Sequence, residues 1–380
     1  MMRPGSAPAR DFLCVARRAL ILVLGTAWLA LATQPASADI ALRDVTGREV
    51  TLKAPAKRLL IDDGRFLIAL SLIAPDPVAV LAAWPRDINR IGKQTFEAYK
   101  AKFPAIEQLA KVASSAGALS VEQVVAATPD LAVFSLGSQP SDEERARIEA
   151  AGIPVVVIDF FTHPLKNMEP SLQLLGAAIG RVEQADAFLA FRRTRLDAIR
   201  AKVATLKDDQ RPRVFLEPHA AMTADCCNSP GRGNVGEIIE AVGGTNIGAA
   251  IIQRAFGKLN LEYIIAQDPQ VYIATGGSHM EGTAGLLIGP EYSQARARET
   301  LAGVISRPGF AEMAAVKASR VYGLSHQLLN SPLDVLTVEI LAKWIHPELF
   351  ADLSVDDTLA QLNQRFLAVP VQGPNWIALD

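Results

Sequence analysis

Seven short apolar runs along this chain are each followed by charged, polar or metal-ligating side chains. After residues 58–61 come Asp62, Asp63, Gly64 and Arg65, and after 78–81 come Trp84, Pro85 and Arg86. Gly137, Ser138 and Gln139 follow 131–134, and Phe160, Phe161, Thr162 and His163 follow 154–159. Farther on, His219 follows 213–216, His279 follows 271–274 and His326 follows 320–323. If the runs are strands of parallel sheets, these residues share a carboxyl edge, where open α/β sheets bind ligands. Arg65 and Arg86 suit an anionic or carbonyl-rich ligand, or else pair with the adjacent Asp63 and Asp87. Trp84 and Phe161 read as an apolar wall of the site or as ordinary core. His163, His219, His279 and His326 are nitrogen donors of the kind metal sites use. They lie on four separate loops without short ligand spacing, so binding of a bare metal is not expected. His346, beside Trp344 in a helical stretch, reads as structural.

The adjacent Cys226 and Cys227 sit in the loop after 213–216. Two neighbouring thiols in an oxidising compartment can form a vicinal disulfide, bind a metal or stay free. Three roles therefore stay open: a fixed loop, contact with a ligand, or redox chemistry. Catalytic patterns are lacking. There is no G-x-S-x-G, no Walker loop and no H-E-x-x-H, and Gly231-Arg232-Gly233-Asn234 reads as a turn with a helix cap. A binding protein without a resident cofactor fits better than an enzyme.

The elements that must position these residues alternate short β-rich runs with helical ones, such as 143–151 and 236–242. That alternation predicts parallel sheets covered by helices on both faces. An internal echo divides the chain. The segment around Glu122 runs through Thr128-Pro129-Asp130 into strand 131–134; that around Glu262 runs through Asp268-Pro269-Gln270 into strand 271–274. The expected fold is therefore α/β, with two Rossmann-like lobes built on one plan. Between them, 181–206 carries Val182, Ala185, Leu189, Leu196, Ile199, Val203 and Leu206 at helical spacing, uninterrupted by Gly or Pro. One stiff helix should join the lobes and limit their relative motion. The expected boundaries are an N-terminal lobe at 39–165, linker helices at 166–207 and a C-terminal lobe at 208–380.

Composition narrows the class. The chain has 380 residues, half of them hydrophobic, with 38 basic against 40 acidic side chains. That balance excludes a nucleic-acid footprint, and no run of like charge marks a disordered tail. Arg17 and Arg18 precede an apolar stretch that ends in Ala36-Ser37-Ala38, which reads as a cleavable secretory signal over residues 1–38. Cleavage after Ala38 would remove Cys14. With no Cys directly following the cleavage site, a lipid-anchored start is not expected, and the mature protein is expected to be a periplasmic monomer.

Asp44-Val45-Thr46-Gly47-Arg48, the Glu122 and Glu262 units, Gly236–Ile247 with its Gly243-Gly244-Thr245-Asn246, and Ala342–Phe350 resemble the periplasmic binding proteins of iron–siderophore, haem and cobalamin ABC importers. The resemblance spans nearly the whole mature chain. It implies two α/β lobes bridged by one long helix, and Glu122 and Glu262 docking on arginines of the membrane permease. It further implies an iron complex as cargo, with the iron held by its chelator and not directly by the protein. A ferric siderophore of hydroxamate or mixed carboxylate type is expected. Arg65, Trp84, Arg86, Phe161, the four strand-end His and the Cys pair are the candidate contacts. Haem or cobalamin is the alternative within the family. An exported metal- or thiol-dependent enzyme centred on Cys226 and Cys227 is the alternative outside it. The vicinal cysteines depart from the family pattern.

Overall fold

Buried parallel strands need apolar side chains on both faces, and the short runs bounded by Pro, Gly and Asp meet that need. The computed structural model describes residues 1–2, 39–223 and 226–379. The expected signal segment, Cys14 included, lies outside the described residues apart from the first two. From Ile40 onward the chain forms one unit. Its elements begin with a hairpin, β1 (Ile40–Arg43) and β2 (Glu49–Leu52). The first lobe follows with β3 (Leu59–Ile61), β4 (Leu81–Trp84), β5 (Ala110–Lys111), β6 (Leu131–Ser135) and β7 (Val155–Ile158). These make one all-parallel sheet in the order β5-β4-β3-β6-β7. The second lobe contributes β8 (Arg213–Glu217), β9 (Asn228–Pro230), β10 (Thr245–Asn246), β11 (Phe256–Lys258), β12 (Val271–Gly276), β13 (Val321–Ser325) and β14 (Trp376–Ala378). Its main sheet runs β10-β8-β12-β13-β14, parallel except for the last strand. Strands β4-β3-β6-β7 and β10-β8-β12-β13 occupy matching places, so the sequence echo is a structural repeat.

Six of the seven expected strands lie within two residues of their predicted bounds. The seventh, expected at 78–81, begins at Leu81 instead. The Asp76 carboxylate accepts from the N–H groups of Val78 (3.0 Å) and Ala79 (2.9 Å), and Leu81 N–H donates to Val78 O (3.0 Å). Those bonds fold 76–81 into a turn and push the strand toward Trp84.

Helix α1 (Arg65–Ile73) opens at the carboxyl end of β3, and α2 (Ile88–Ile91) follows β4. Helix α3 spans Pro164–Ala178, and the bridging helix, α4, spans Val182–Val203. At 1.5 Å per residue α4 is roughly 33 Å long. It buries Ala185, Phe188, Leu189, Leu196, Ile199 and Val203. Val182, expected on that face, is half exposed at the helix start. Arg192 is buried and grips Asp334 through two bonds, Nε to Oδ1 at 2.9 Å and Nη2 to Oδ2 at 2.5 Å. One apolar cluster runs from Leu59 and Ile61 through Phe188 and Leu196 to Ile239, Ile273 and Leu341. The lobes thus share a core. A second tie reinforces it: after the final helix the chain returns to the first lobe, where Ala368 N–H donates to Ser71 O and Lys102 Nζ donates to Ala368 O. Interior packing at crystal-like density resists shear, and this continuity is the physical basis for limited lobe motion.

The motifs behind the family resemblance act as fasteners. The Asp44 carboxylate accepts from Thr46 N–H, Thr46 Oγ1 and Arg48 N–H, and from Val157 N–H of β7. That set pins the first hairpin to the first sheet. Asn246 donates to Pro230 O and Gly231 O while accepting from Gly248 N–H. A Cβ at Gly248 would collide with Pro230 O, so only glycine lets the strand β9 region and this turn meet.

Candidate functional site

The carboxyl edges of the two sheets face a cavity of about 560 Å³ between the lobes. Its first-lobe wall is organised by one carboxylate. Asp63 is almost completely buried. It accepts from Arg65 N–H and Nε (both 2.9 Å), Arg65 Nη2 (2.6 Å) and Ser115 Oγ (3.0 Å), and it also pairs with Arg90 Nη1. Arg90 is further held by Ser115 Oγ at 2.8 Å and Asp87 at 3.2 Å. Burial works against ionisation of Asp63, but Arg65 and then Arg90 outweigh it and hold the carboxyl well below the ordinary range. Asp63 and Asp87 together balance the two guanidiniums.

Behind it, Asp62 accepts from Ser135 N–H, Ser135 Oγ (2.9 Å) and Ser138 Oγ (2.8 Å). Burial pushes its pKa up to about 7, opposed by the bonds from Ser135 and Ser138 and assisted by Asp63. Asp62 thereby fixes the two serines that line the cavity. Burial also raises Asp87, to about 6. Its Oδ1 accepts from Gly64 N–H at 2.9 Å, and a Cβ at Gly64 would collide with that oxygen. A side chain at position 64 would therefore have to displace the Asp87 carboxylate from the start of α1.

The second-lobe wall is built from imidazoles at the ends of β8, β12 and β13. His219 Nδ1 lies 2.7 Å from His279 Nε2, and the ring centroids of His219 and His326 are 3.9 Å apart. Thr275 locks the group: its hydroxyl receives the His219 N–H at 3.0 Å and contacts His326 Nδ1 at 2.9 Å. Burial lowers the pKa of all three. His279 and Arg65 depress His219 further, to about 4, and His219, His279, Arg65 and Arg90 add to the lowering at His326. Each ring is neutral at pH 7. At the floor, Asn234 donates to Asn330 Oδ1 (2.6 Å) and to Phe161 O, and its N–H reaches Thr162 O at 2.9 Å. These bonds tie the lobes together directly beneath the cavity. His279 Nδ1 and Asn330 Nδ2 are buried without a hydrogen-bond partner among the described residues.

Of the residues anticipated from the sequence, the cavity gathers Arg65, Phe161, His219, His279 and His326. Trp84 does not line it. The later start of β4 puts that side chain inside the strand, fully buried and stacked on Phe96 at 5.8 Å. Arg86 turns away to donate to Glu107 O (2.9 Å) and Leu109 O (2.6 Å). His163 pairs with Glu237 Oε1 at 2.5 Å in a separate groove between the lobes. Cys226 and Cys227 form a vicinal disulfide. Cys227 is buried in the second-lobe core, its backbone exchanging both hydrogen bonds with Leu259. The pair is not part of the cavity wall, whereas Met222 of the same loop is. Glu122 and Glu262 are exposed in the first turns of helices Val121–Ala126 and Leu261–Gln267, capped by Ser120 and Asn260.

Sequence reasoning missed Arg90, Ser115, Ser135 and Asn330, all on the wall. Asp87-x-x-Arg90, a pair with helical i,i+3 spacing just past a predicted strand end, was the one available signal for Arg90. Ser135 carried the same strand-end signal, as it directly follows the predicted strand 131–134; nothing in the local pattern marks Ser115 or Asn330.

Two mainly parallel sheets facing each other across a cleft of recognition groups, on a shared core, form the architecture of a two-lobed solute-binding protein. The chain belongs to the periplasmic binding protein family, whose model matches residues 70–328. It is 22% identical over 316 residues to the uncharacterized ABC transporter substrate-binding lipoprotein YvrC of Bacillus subtilis (strain 168), covering 82% of this chain and 87% of that protein. The crystal structure of the TroA-like periplasmic binding protein FepB from Veillonella parvula superposes with a TM-score of 0.80 at 24% identity, covering 90% of this chain and all of that one. A periplasmic heme binding protein from Pseudomonas aeruginosa gives a TM-score of 0.54 at 20% identity, over 77% of this chain and 93% of that one. Among the described residues no helix is long and apolar enough to cross a membrane.

Proposed function

We propose that this protein is the periplasmic solute-binding component of an ABC importer, that it captures a ferric siderophore with hydroxamate or mixed carboxylate groups, and that it passes this cargo to a permease and its ATPase. The observation that carries the reading is the Asp63-organised pair Arg65 and Arg90 on one wall of a chelate-sized cavity. Guanidinium forks held in place by a buried carboxylate suit oxygen-rich anionic chelators. Ser115, Ser135 and Ser138 extend the polar wall. That polarity favours a siderophore over a flat apolar macrocycle, since Phe161 and Met222 are the apolar side chains lining the cavity.

Delivery rests on Glu122 and Glu262. They occupy equivalent places in the repeat, each in the exposed first turn of a helix that feeds the strand next to its lobe's first strand. Two matched carboxylates give a symmetric handle for a two-fold symmetric membrane partner. Arg147 already pairs with Glu122 at 2.6 Å and would exchange for a partner's cation on docking. The test is a thermal-shift screen of ferric chelates on the mature protein, followed by titration of Arg65→Ala and Arg90→Ala. Saturation at a hundred times Kd stabilises a binder by about 2.7 kcal/mol. A screen in which only metal-free solutes raise Tm would defeat the siderophore assignment.

A further inference from the structure

Asp62 and Asp63 are adjacent at the end of β3, yet they are partnered differently. Asp63 is bound by two guanidiniums. Every hydrogen bond to the Asp62 carboxylate among the described residues comes from Ser135 or Ser138, at and just beyond the end of β6. Its Oδ1 lies 2.9 Å from Ser135 Oγ and its Oδ2 lies 2.8 Å from Ser138 Oγ, while the Ser135 N–H is shared between the two oxygens at 3.1 and 3.0 Å. Asp62 is only 3% exposed, whereas both serines line the cavity. A change of charge at Asp62 therefore reaches a cargo through their hydroxyls.

A hydroxyl has one hydrogen to give, and an ionised carboxylate can only accept. With Asp62 ionised, both serine hydrogens are drawn behind the wall and the cavity meets hydroxyl lone pairs, which suit a donor and repel an anionic oxygen. A proton on Asp62 Oδ2 reverses one of these bonds. The carboxyl then donates to Ser138 Oγ, and the Ser138 hydrogen turns to face the cavity. Oδ1 keeps the Ser135 N–H and Oγ–H. Charge changes in the same sense. Asp63 and Asp87 balance Arg65 and Arg90, so an ionised Asp62 makes the wall net negative and a protonated Asp62 leaves it neutral.

We propose that Asp62 is a positioning residue for an anionic cargo: capture takes up one proton at Asp62, and the Ser138 hydroxyl, turned by that proton, donates to an anionic oxygen of the chelate. This deepens the proposed function and rests on it. The step is redox-neutral. The proton comes from solvent and forms Oδ2–H, and the hydrogen bond from Ser138 to Oδ2 gives way to one from Oδ2 to Ser138. Burial holds Asp62 near 7, so the exchange falls close to neutral pH. The other charged or titratable groups facing this wall are Asp63 and Arg65 on the same loop, Asp87 and Arg90 beyond β4, and His219, His279 and His326 across the cavity.

The mature protein is titrated with the ferric complex of a citrate-centred dihydroxamic acid, an anionic chelate. Calorimetry at pH 8 in two buffers of different ionisation enthalpy counts the protons taken up. Asp62→Asn should take up about 0.9 proton fewer than wild type, the fraction ionised at pH 8 for a group titrating near 7. Its amide offers Ser138 an N–H at every pH, so it should bind about tenfold tighter than wild type at pH 8 and about equally at pH 6. Asp87 and the imidazoles are present in both proteins and cancel in that ratio. The advantage should vanish in the Ser138→Ala background. Urea unfolding checks that the variants fold. Infrared difference spectra of the wild type should gain a protonated-carboxyl band on binding, a signature independent of any variant. Equal proton uptake by wild type and Asp62→Asn, an advantage that survives Ser138→Ala, or absence of the carboxyl band overturns this inference and leaves the siderophore reading intact. Failure of the complex to bind at either pH overturns both.

Discussion

Replacing Asp63 with Asn removes the charge that organises the first-lobe wall and keeps the shape of the side chain. In the wild type this carboxylate is bound to two guanidiniums, to a backbone N–H and to Ser115. The Arg65 and Arg90 side chains are only 11% and 25% exposed. Removing the shared anion leaves two partly buried cations facing each other. Breaking a buried pair by deleting one partner costs about 3–5 kcal/mol. Asp87 stays beside Arg90 and offsets part of this, so about 3 kcal/mol is expected. Urea unfolding followed by circular dichroism should show a lower midpoint at constant m, which assigns the change to stability. The pH dependence gives a second check. The folded-state pKa of Asp63 is depressed, so its contribution is fully present above the unfolded value of about 3.9 and disappears as pH falls through the folded value. Asp62 and Asp87 titrate near 7 and 6 and are both raised in part by Asp63, so the gap between wild type and variant should narrow somewhat as pH rises from 5 to 8, and it should close below about 4 as Asp63 itself is protonated. A gap under about 1 kcal/mol at pH 5, or one that does not shrink below about pH 4, would refute the view that Asp63 holds the arginines.

Charge reversal at Glu122 or Glu262 should reduce transport into reconstituted vesicles and leave ligand affinity unchanged; a fall in affinity would count against a docking role. Asp334→Asn strands Arg192 in the bridging helix and should cost about 3–5 kcal/mol in urea unfolding, with both lobes still melting together. The histidines act in the same direction as Asp63 but in a higher pH window, because their folded values lie below 6.5. They contribute stability at neutral pH that is lost as pH falls from about 6.5 toward the folded value of about 4 at His219, an effect of about 3 kcal/mol there. Replacing His219 with Phe should flatten that part of the pH–stability profile. Changing both Cys226 and Cys227 to Ser should lower stability by about 1–3 kcal/mol, because position 227 lies in the apolar core while bridging adjacent residues closes almost no loop; calorimetry of the double variant checks this.

Much of the architecture was legible because it rests on local rules. Apolar runs of strand length, Pro and Asp at their ends, the offset between the Glu122 and Glu262 units and an unbroken helical stripe predicted the sheets, the repeat and the bridge. The candidate site was only half legible. Arg65 and His219 could be placed because they directly follow a strand. Arg86 has the same kind of position, but a turn set by Asp76 shifted its strand, and carbonyls of Glu107 and Leu109 captured its guanidinium.

The sequence by itself determined which residues stand at strand ends, since chain direction and periodicity are properties of neighbours in sequence. Only the tertiary structure decided which of them meet. Arg90 joins Asp63 across 27 positions and His219 joins His279 across 60. Those encounters depend on sheet order and on the shared core that sets the lobes at one distance. Burial then decides charge: the same fold that leaves Glu122 in solvent holds Asp62 near pKa 7 and keeps three imidazoles neutral.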